Sequence, residues 1–536
     1  MSRKTFLQGA IILGFAGIIV KILGAFFRIP LANMIGDDGM GYYQTAYPIY
    51  VFLLVLSTAG LPTAISKIVS EKNAVGNRYG AHRVFKISFI LMFTIGIVTS
   101  SILFFGAKYI VQLLKNPGAY YSMLAIAPAL LFTPVMAAYR GYFQGLQDMK
   151  PTAISQVIEQ FVRVATGFSL AFLLASKGLE HAAAGASFGA TSGAAAGSLL
   201  LIWIYFKRRK TISREIVQSA QFVTESAGKI LKRVFIIAIP ITIGAAIMPI
   251  MNMIDLAIVM RRLQAVGFSA ETANGLYGQL TGMAGPIINF PQVLSMGIAM
   301  SLVPVISDAF ERRDYGFLRY NVESGMRISM LIGLPSAFGI MVLSEQIMLL
   351  LYPMQKASAI SAASSLSILA FGVIFLTMVQ TLTGILQGLG KPSIPVINLF
   401  IGGMFKITTT YFLTGIPSVN IKGAATGTLI AYMTATVLNL IAVRKYTGAK
   451  FNINLTVIRP LIAAIVMTVG VIGSYSIFSN ITSSNMATVI SVLIGVLIYG
   501  FVLIAVKALT YEDFEMLPKG KKLMNILIKL KIFPKA

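Results

Sequence analysis

The sequence has 536 residues, 56% of them hydrophobic and only 12% charged, against about 25% charged residues in soluble domains. It is therefore not a soluble protein, and the composition predicts an all-α polytopic membrane protein. With no cysteine and only two histidines, both in predicted loops, disulfides and thiolate sites are excluded and neither a metal nor a cofactor is expected. The net charge of +26 is expected from the cytoplasmic loops of a membrane protein rather than from nucleic-acid binding.

The first apolar stretch, residues 6–41, is long enough to cross a bilayer, which takes about 20 residues. It contains Lys21 and Arg28, which are seven residues apart and so share one face of a helix. A cation at the bilayer centre costs roughly 2.5–3.5 kcal/mol, so this face is expected to meet water or an anion. The alternative is that the side chains snorkel or pair with a carboxylate. The charges and the length favour a retained first helix over a cleaved signal peptide.

Further along the chain, apolar runs bounded by turn and charge signals predict about 14 transmembrane helices. They lie near residues 6–34, 42–68, 85–107, 119–146, 153–176, 182–206, 232–260, 277–306, 327–351, 358–388, 393–415, 423–443, 459–479 and 486–508. The small-residue stretch at 182–197 predicts close helix packing. Most of the 44 basic residues, including those of the loop predicted at 308–327, fall on one side of this arrangement. Both termini are therefore predicted to be cytoplasmic.

Three pairs of similar segments recur in the same order and at nearly the same separation. QGLQDMKPTAISQV at 144–157 resembles QGLGKPSIPVINL at 387–399, LPTAIS resembles VPVIS, and GASFG resembles GAATG. This pattern predicts two homologous six-helix lobes in the same orientation, with two C-terminal helices outside the repeat. The predicted divisions are an N-lobe at 1–206, a basic cytoplasmic linker at 207–231, a C-lobe at 232–443, two further helices within 444–510, and a basic cytoplasmic tail at 511–536.

Charged residues within the predicted helices are mostly cations. The cations are Lys21, Arg28, Arg140, Arg163 and Lys406, whereas Glu159 and Asp255 are the carboxylates at comparable depth. Because a bilayer does not keep such an excess uncompensated, an anionic ligand or a lipid head group is the expected partner.

Each of these residues also has a structural interpretation. Glu159 and Arg163 are four residues apart and are expected to pair, although Glu159 is also a candidate for ion coupling. Arg140 either binds the ligand or snorkels to phosphates. Asp255 either couples a cation or is a counter-ion to Arg261 or Arg262.

Lys406 either lines an ion path or is paired. Asn289 and Gln292, beside prolines in the eighth helix, are candidates to hydrogen-bond a sugar. The tyrosines between Tyr42 and Tyr50 are expected to form an interfacial aromatic belt.

Several segments together carry a family resemblance. The segments are three: Lys21 and Arg28 followed by IPLANMIGDDGMGYYQ, GLPTAISKIVSE at 60–71, and GYFQGLQDMKPTAISQVIEQ at 141–160. In them the chain resembles the polysaccharide-transport branch of the MOP flippase superfamily. Within this branch it most resembles the stage V sporulation protein B type, which is related to MurJ-type lipid II flippases. The resemblance implies a two-lobed fold in a bacterial cell membrane, with a cavity lined by helices 1, 2, 7 and 8. It also implies outward movement of an undecaprenyl-pyrophosphate-linked saccharide for cell-wall, polysaccharide or spore synthesis. Arginines of helix 1 are functional in such proteins, and Lys21 and Arg28 match them. The lysine departs from the pattern and lacks the bidentate geometry of arginine.

The leading hypothesis is therefore an alternating-access flippase that is not an enzyme. Its expected partners are a polyprenyl-pyrophosphate-linked saccharide, membrane lipids, a monovalent cation and cell-wall synthesis proteins. Because the sequence has no GxxxxGK loop, the membrane potential or an ion gradient is the expected energy source. The alternatives are a multidrug/cation antiporter of the same superfamily, a membrane enzyme acting on the same lipid, and a scaffold for wall synthesis. The excess of cations argues against the antiporter, and short outer loops with few acids argue against the enzyme.

Overall fold

The computed structural model describes residues 3–219 and 225–508, except for the side chains of residues 3–11, 15, 18, 21, 25 and 218. Every regular element in these ranges is helical. The helices are α1 Arg3–Thr58, α2 Leu61–Ala74, α3 Arg78–Leu113, α4 Tyr120–Ile126, α5 Ala129–Gly145, α6 Lys150–Leu174, α7 Leu179–Lys207, α8 Arg209–Gln218, α9 Ala227–Ala265, α10 Ala270–Gly278, α11 Gly285–Glu311, α12 Tyr315–Val342, α13 Ser344–Leu351, α14 Lys356–Gly388, α15 Ser393–Thr414, α16 Lys422–Thr447, α17 Arg459–Ser479 and α18 Ser484–Ala505. Short 3-10 turns span Pro117–Ala119 and Ala175–Lys177, and π turns span Gln279–Ala284 and Asn454–Ile458. The all-α class is confirmed.

Within the described residues, 13 helical runs are long and apolar enough to cross a membrane. The first run, Ile22–Ala74, covers the second predicted helix and the latter part of the first. They are separated at Gly36, whose φ of 69° and ψ of −174° interrupt α1. A side chain is strongly disfavoured in this backbone conformation, so the break depends on glycine. The predicted tail at 511–536 lies outside the described residues.

The chain forms two compact units, Met1–Gly282 and Met283–Ala536. The first unit includes α9, which packs against α1 and α2. The predicted lobe boundaries rest on the internal repeat, whereas these units reflect packing, so the lobe boundaries stay a prediction.

The core of the first unit lies between α2, α3, α5 and α9, with Ile65, Phe85, Phe143 and Val234 buried in it. Two glycines of α5 allow the close approach of α2. A Cβ at Gly141 would lie 2.8 Å from the carbonyl oxygen of Pro62, and such an atom at Gly145 would lie 2.6 Å from Cβ of Val69.

The second unit repeats this packing between α14 and α11. A Cβ at Gly384 would lie 2.7 Å from the carbonyl oxygen of Ala299, and one at Gly388 would lie 2.8 Å from Cβ of Ile306. Gly145 and Gly388 are the glycines that the sequence repeat aligns. The two units therefore use the same small-residue contact at equivalent positions, in agreement with the predicted repeat.

Two ion pairs connect the end of α2 to the start of α9. Glu71 pairs with Arg233, and Lys72 pairs with Glu225, just before α9 begins. The hydrogen bond from Lys72 lowers the pKa of Glu225 below its ordinary value. The region predicted as a linker also contains α8, whose Glu215 pairs with Arg78 of α3.

Candidate anion site in the first unit

A cavity of about 190 Å³ lies between α1, α5 and α6. Its lining combines two cations, one carboxylate and two amides with small and apolar residues of α1: Gly17, Val20, Arg140, Gln156, Glu159, Gln160 and Arg163. Such a concentration of polar side chains in membrane helices is costly unless it serves a ligand or a permeation path. This cavity is therefore the candidate functional site.

The polar face of α6 follows from helical spacing. Gln156, Gln160 and Arg163 are three or four residues apart, so their side chains project in the same direction. Behind them α7 packs closely, because a Cβ at Gly193 would lie 2.5 Å from the carbonyl oxygen of Glu159. The predicted close packing of the small-residue stretch is thus confirmed, and it fixes α6 with its polar face towards α1 and α5.

Arg140 and Glu159 form an ion pair with an Nη2–Oε2 distance of 2.9 Å. Arg140 also donates from Nε to Oγ of Ser155 at 2.9 Å. The expected pairing of Glu159 with Arg163 within α6 is wrong, since the ion pair of Glu159 is made across helices instead. The helical spacing allows the local pair, but the partly buried hydrogen bond to Ser155 orients Arg140 towards Glu159.

Arg163 is left beside the cavity without this carboxylate contact. Its Nε atom is buried and has no hydrogen-bond partner, and the same is true of Oε1 of Gln156. Arg163 lies within electrostatic range of Tyr43, Tyr47 and Tyr50 on α1. Buried donors are usually satisfied, so an unpartnered guanidinium nitrogen marks a place where a ligand or water can bind.

The same tyrosines approach a second arginine. The guanidinium carbon of Arg28 lies 5.9 Å from the ring centroid of Tyr47, a cation–π distance. Tyr43 and Tyr50 are 6% and 2% exposed. The expected interfacial belt is therefore wrong for these two tyrosines, which lie inside the protein and face arginines. The side chain of Lys21 lies outside the described residues, although its backbone belongs to α1.

The remaining predicted site residues lie elsewhere. Asp255 is buried on α9 and does not line the cavity. Asn289 is exposed and Gln292 half-buried on α11, and Lys406 is half-buried on α15. The structure thus brings Arg140 and Glu159 together, and it leaves the roles of these other residues as predictions.

Three residues of the cavity were not predicted from the sequence to bind a ligand, namely Gln156, Gln160 and Arg163. The available signal was their spacing, which places three polar side chains on one face of an apolar helix. Arg327 was likewise predicted to lie in a basic loop. The helix α12 instead begins at Tyr315, and Arg327 is 7% exposed within the second unit.

A second polar cluster joins the other half of α1 to α10. Asn116 donates from Nδ2 to Oδ1 of Asn274 at 2.8 Å and to Oγ1 of Thr45 at 2.9 Å. Gln279 donates to a carboxylate oxygen of Asp37 at 2.7 Å. All donors of this cluster are buried, so it fixes the position of α10 against α1 just beyond the break at Gly36.

Residues 6–310 match the family model described as polysaccharide biosynthesis protein. The chain belongs to this family. Residues 240–412 also match the model described as MatE. The predicted resemblance to the polysaccharide-transport branch of the MOP flippase superfamily is confirmed.

Two relatives from Bacillus subtilis (strain 168) align over most of the chain. Stage V sporulation protein B is 29% identical over 448 residues, which cover 83% of this chain and 85% of that protein. Lipid II flippase MurJ is 27% identical over 466 residues, which cover 84% of this chain and 85% of that protein.

Solved structures share the fold at low sequence identity. A structure of lipid II flippase MurJ in an inward closed conformation has a TM-score of 0.67 at 15% identity and covers 92% of this chain and 98% of that one. A multidrug resistance MATE family transporter of the MOP superfamily has a TM-score of 0.68 at 15% identity and covers 80% of this chain and 94% of that one. This chain is therefore a multi-pass membrane protein with the fold of MOP transporters and flippases.

Proposed function

We propose that the protein is a flippase that moves an undecaprenyl-pyrophosphate-linked saccharide, a lipid II-like cell-wall precursor, to the outer leaflet of the bacterial cell membrane by alternating access. Similarity to a lipid II flippase and to a sporulation protein over more than four fifths of the chain supports this proposal. The driving force in the proposal is the membrane potential or a gradient of a monovalent cation.

The observation that carries the proposal is the cluster of guanidinium groups in the first unit. Arg140 and Arg163 line the cavity, and Arg28 lies against the ring of Tyr47 on α1. Glu159 is the carboxylate that lines the same cavity, and it pairs with Arg140. Phosphate oxygens are the ligands that such guanidinium groups bind well. A lipid-linked pyrophosphate supplies these oxygens within the membrane.

The predicted site residues take specific roles in this proposal. Lys21 and Arg28 attract the pyrophosphate, with Arg140 and Lys406 as further cations along the path. Asn289 and Gln292 hydrogen-bond the saccharide. Asp255 and Glu159 are the carboxylates for ion coupling, where the contact of Glu159 with Arg140 offers an exchangeable partner for a proton or a cation.

A multidrug/cation antiporter is the second candidate, because residues 240–412 match the MatE model. Cationic drugs require carboxylates in their binding site, whereas the cluster around the cavity is dominated by arginines. This difference favours the flippase.

Binding of lipid II to the purified protein tests the proposal. We expect the Lys21→Ala/Arg28→Ala variant to bind lipid II at least about 100-fold more weakly than the native chain, because each of the two lost charge-assisted contacts is worth about 1.5–3 kcal/mol. The matched control is Arg312→Ala/Arg313→Ala, which removes two charges from an exposed turn. Other lipid-linked saccharides serve as competitors, and a cationic dye tests the antiporter. Equal binding by all three proteins would remove the assigned site, and binding of the dye instead of any lipid would favour the antiporter.

A further inference from the structure

The cavity in the first unit carries a charge imbalance that the ion pair between Arg140 and Glu159 leaves in place. Glu159 is engaged by Arg140 at 2.9 Å, and Ser155 holds the Nε atom of that arginine. The described residues place no carboxylate within ion-pair distance of Arg163, and its buried Nε has no partner. The lining therefore has one guanidinium more than it has carboxylates.

The neutral residues around Arg163 can also donate hydrogen bonds. The unpartnered amide oxygen of Gln156 exchanges place with its NH₂ group on a half-turn of the amide. Gln160 lies one turn along on the same face, and its Nε2 would be 3.4 Å from a Cβ at Gly24 of α1. Two amides and a guanidinium thus converge on one space.

The size of the cavity limits what it can hold. Its volume of about 190 Å³ is several times the roughly 30 Å³ that one water occupies in the liquid. It exceeds what a single halide ion fills and accommodates a tetrahedral oxyanion with some water. On the α1 side, the lining residue Gly17 leaves open space where a side chain would stand.

We propose that this cavity binds a phosphoryl-type oxyanion, held by Arg163 with the amides of Gln156 and Gln160. Glu159 competes with that anion for the guanidinium of Arg163, and Arg140 holds the Glu159 carboxylate away from it. Arg163, which was expected from the sequence to pair with Glu159, is thus proposed to bind the ligand. The source of the oxyanion is either the lipid-linked substrate, which rests on the proposed function, or free phosphate.

Substitutions of Arg163 and of Glu159 are expected to have opposite effects on the affinity for phosphate. Inorganic phosphate is titrated into the purified full-length protein by calorimetry, with chloride at equal ionic strength as the comparison. We expect Arg163→Gln to weaken phosphate binding about 10- to 100-fold. Glu159→Gln is expected to strengthen it severalfold, because it removes the competing negative charge. A purely structural role for these residues would lower the Tm without moving the affinities in opposite directions.

Arg163→Lys guards against a failure of Arg163→Gln to fold. It retains the charge and loses the guanidinium fork, so its affinity is expected between those of the native chain and Arg163→Gln. The control Arg312→Gln removes an exposed arginine that pairs with Asp308 within one helical turn, and is expected to leave phosphate binding unchanged. Phosphate affinity that is equal in the native chain, Arg163→Lys and Glu159→Gln would overturn the proposal, as would equal responses to phosphate and chloride.

A lipid arm distinguishes the two sources. Undecaprenyl pyrophosphate is compared with undecaprenol, which has the same chain and no phosphate. If Arg163→Lys or Arg163→Gln weakens binding of the pyrophosphate alone, the oxyanion comes from the lipid. If the variants affect inorganic phosphate only, it is the free ion. If phosphate binding depends on Arg163 but the two lipids bind equally, the proposed function is refuted and the oxyanion site is supported. If lipid binding depends on Lys21 and Arg28 but Arg163 variants change the binding of neither ligand, the oxyanion site is refuted and the proposed function is supported.

Discussion

At the scale of single residues, Glu159 is the carboxylate that lies close to both arginines of the cavity. It contacts Arg140 across helices, and Arg163 lies one turn away on its own helix. The side chains of Arg140 and Glu159 are 16% and 21% exposed, so the pair is screened less than a surface ion pair. Removing one partner from such a pair leaves a partly desolvated charge without compensation.

The energy of this contact can be measured by a double-mutant cycle. Arg140→Gln alone and Glu159→Gln alone are each expected to lower the free energy of unfolding by about 1–3 kcal/mol. The double variant is expected to lose less than the sum of the two, since neither charge is then left alone. Thermal or denaturant unfolding in detergent gives these values. Strict additivity would mean that the two side chains do not interact in the membrane protein.

At the scale of helices, glycines determine how closely the elements pack. Gly193 brings α7 against the backbone of α6 at Glu159, and the break at Gly36 divides α1. The ion pairs of Glu71 and Lys72 fix the start of α9 against the end of α2. The polar face of α6 is thus positioned by contacts on its other side.

Gly193→Ala should disturb both stability and the cavity. The new Cβ would lie 2.5 Å from the carbonyl oxygen of Glu159 and 2.9 Å from Cβ of Arg163, so α6 or α7 must move. We expect a loss of about 1–3 kcal/mol in stability, as overpacked cores show, and weaker phosphate binding. Gly473→Ala is the matched control, because a Cβ there meets nothing within 4 Å. Its expected effect is neutral or a stabilisation of up to about 1 kcal/mol. Equal Tm values for the two variants would contradict the packing described for α6 and α7.

The contact of Lys72 with Glu225 should depend on pH. Because the hydrogen bond from Lys72 lowers the pKa of Glu225 from its ordinary 4.5, its contribution is fully present above that ordinary value. It is lost as the pH falls through the lowered pKa. Glu225→Gln is therefore expected to cost about 0.2–1 kcal/mol at pH 7, the range for solvent-screened ion pairs, and nothing once the native carboxylate is protonated.

Melting curves across this pH range, compared with Glu311→Gln at an exposed carboxylate, check that prediction. A difference between Glu225→Gln and the native chain that persists unchanged into acid would contradict it.

At the scale of the whole molecule, composition and local patterns were enough to predict the helical class, the approximate helix positions, the repeat and the intramembrane cations. These features depend on hydrophobic runs and on residue spacing, which the sequence displays directly. Three features were not predicted: the pairing of Glu159 with Arg140 instead of Arg163, the burial of Tyr43 and Tyr50, and the place of Arg327 inside α12. They depend on which helices become neighbours and where each begins, and a single sequence does not display those contacts.

Transport by this protein is measured directly as flipping of the lipid in proteoliposomes. A fluorescent undecaprenyl-pyrophosphate-linked saccharide is placed in both leaflets, and a membrane-impermeant quencher reports how fast the protected fraction becomes accessible. We expect accelerated exchange with the native chain and with Arg312→Ala/Arg313→Ala. At the same protein density, Lys21→Ala/Arg28→Ala is expected to give the rate of protein-free vesicles. Native protein that leaves the exchange rate at that of empty vesicles, with and without a membrane potential or a cation gradient, would contradict the proposed flippase function.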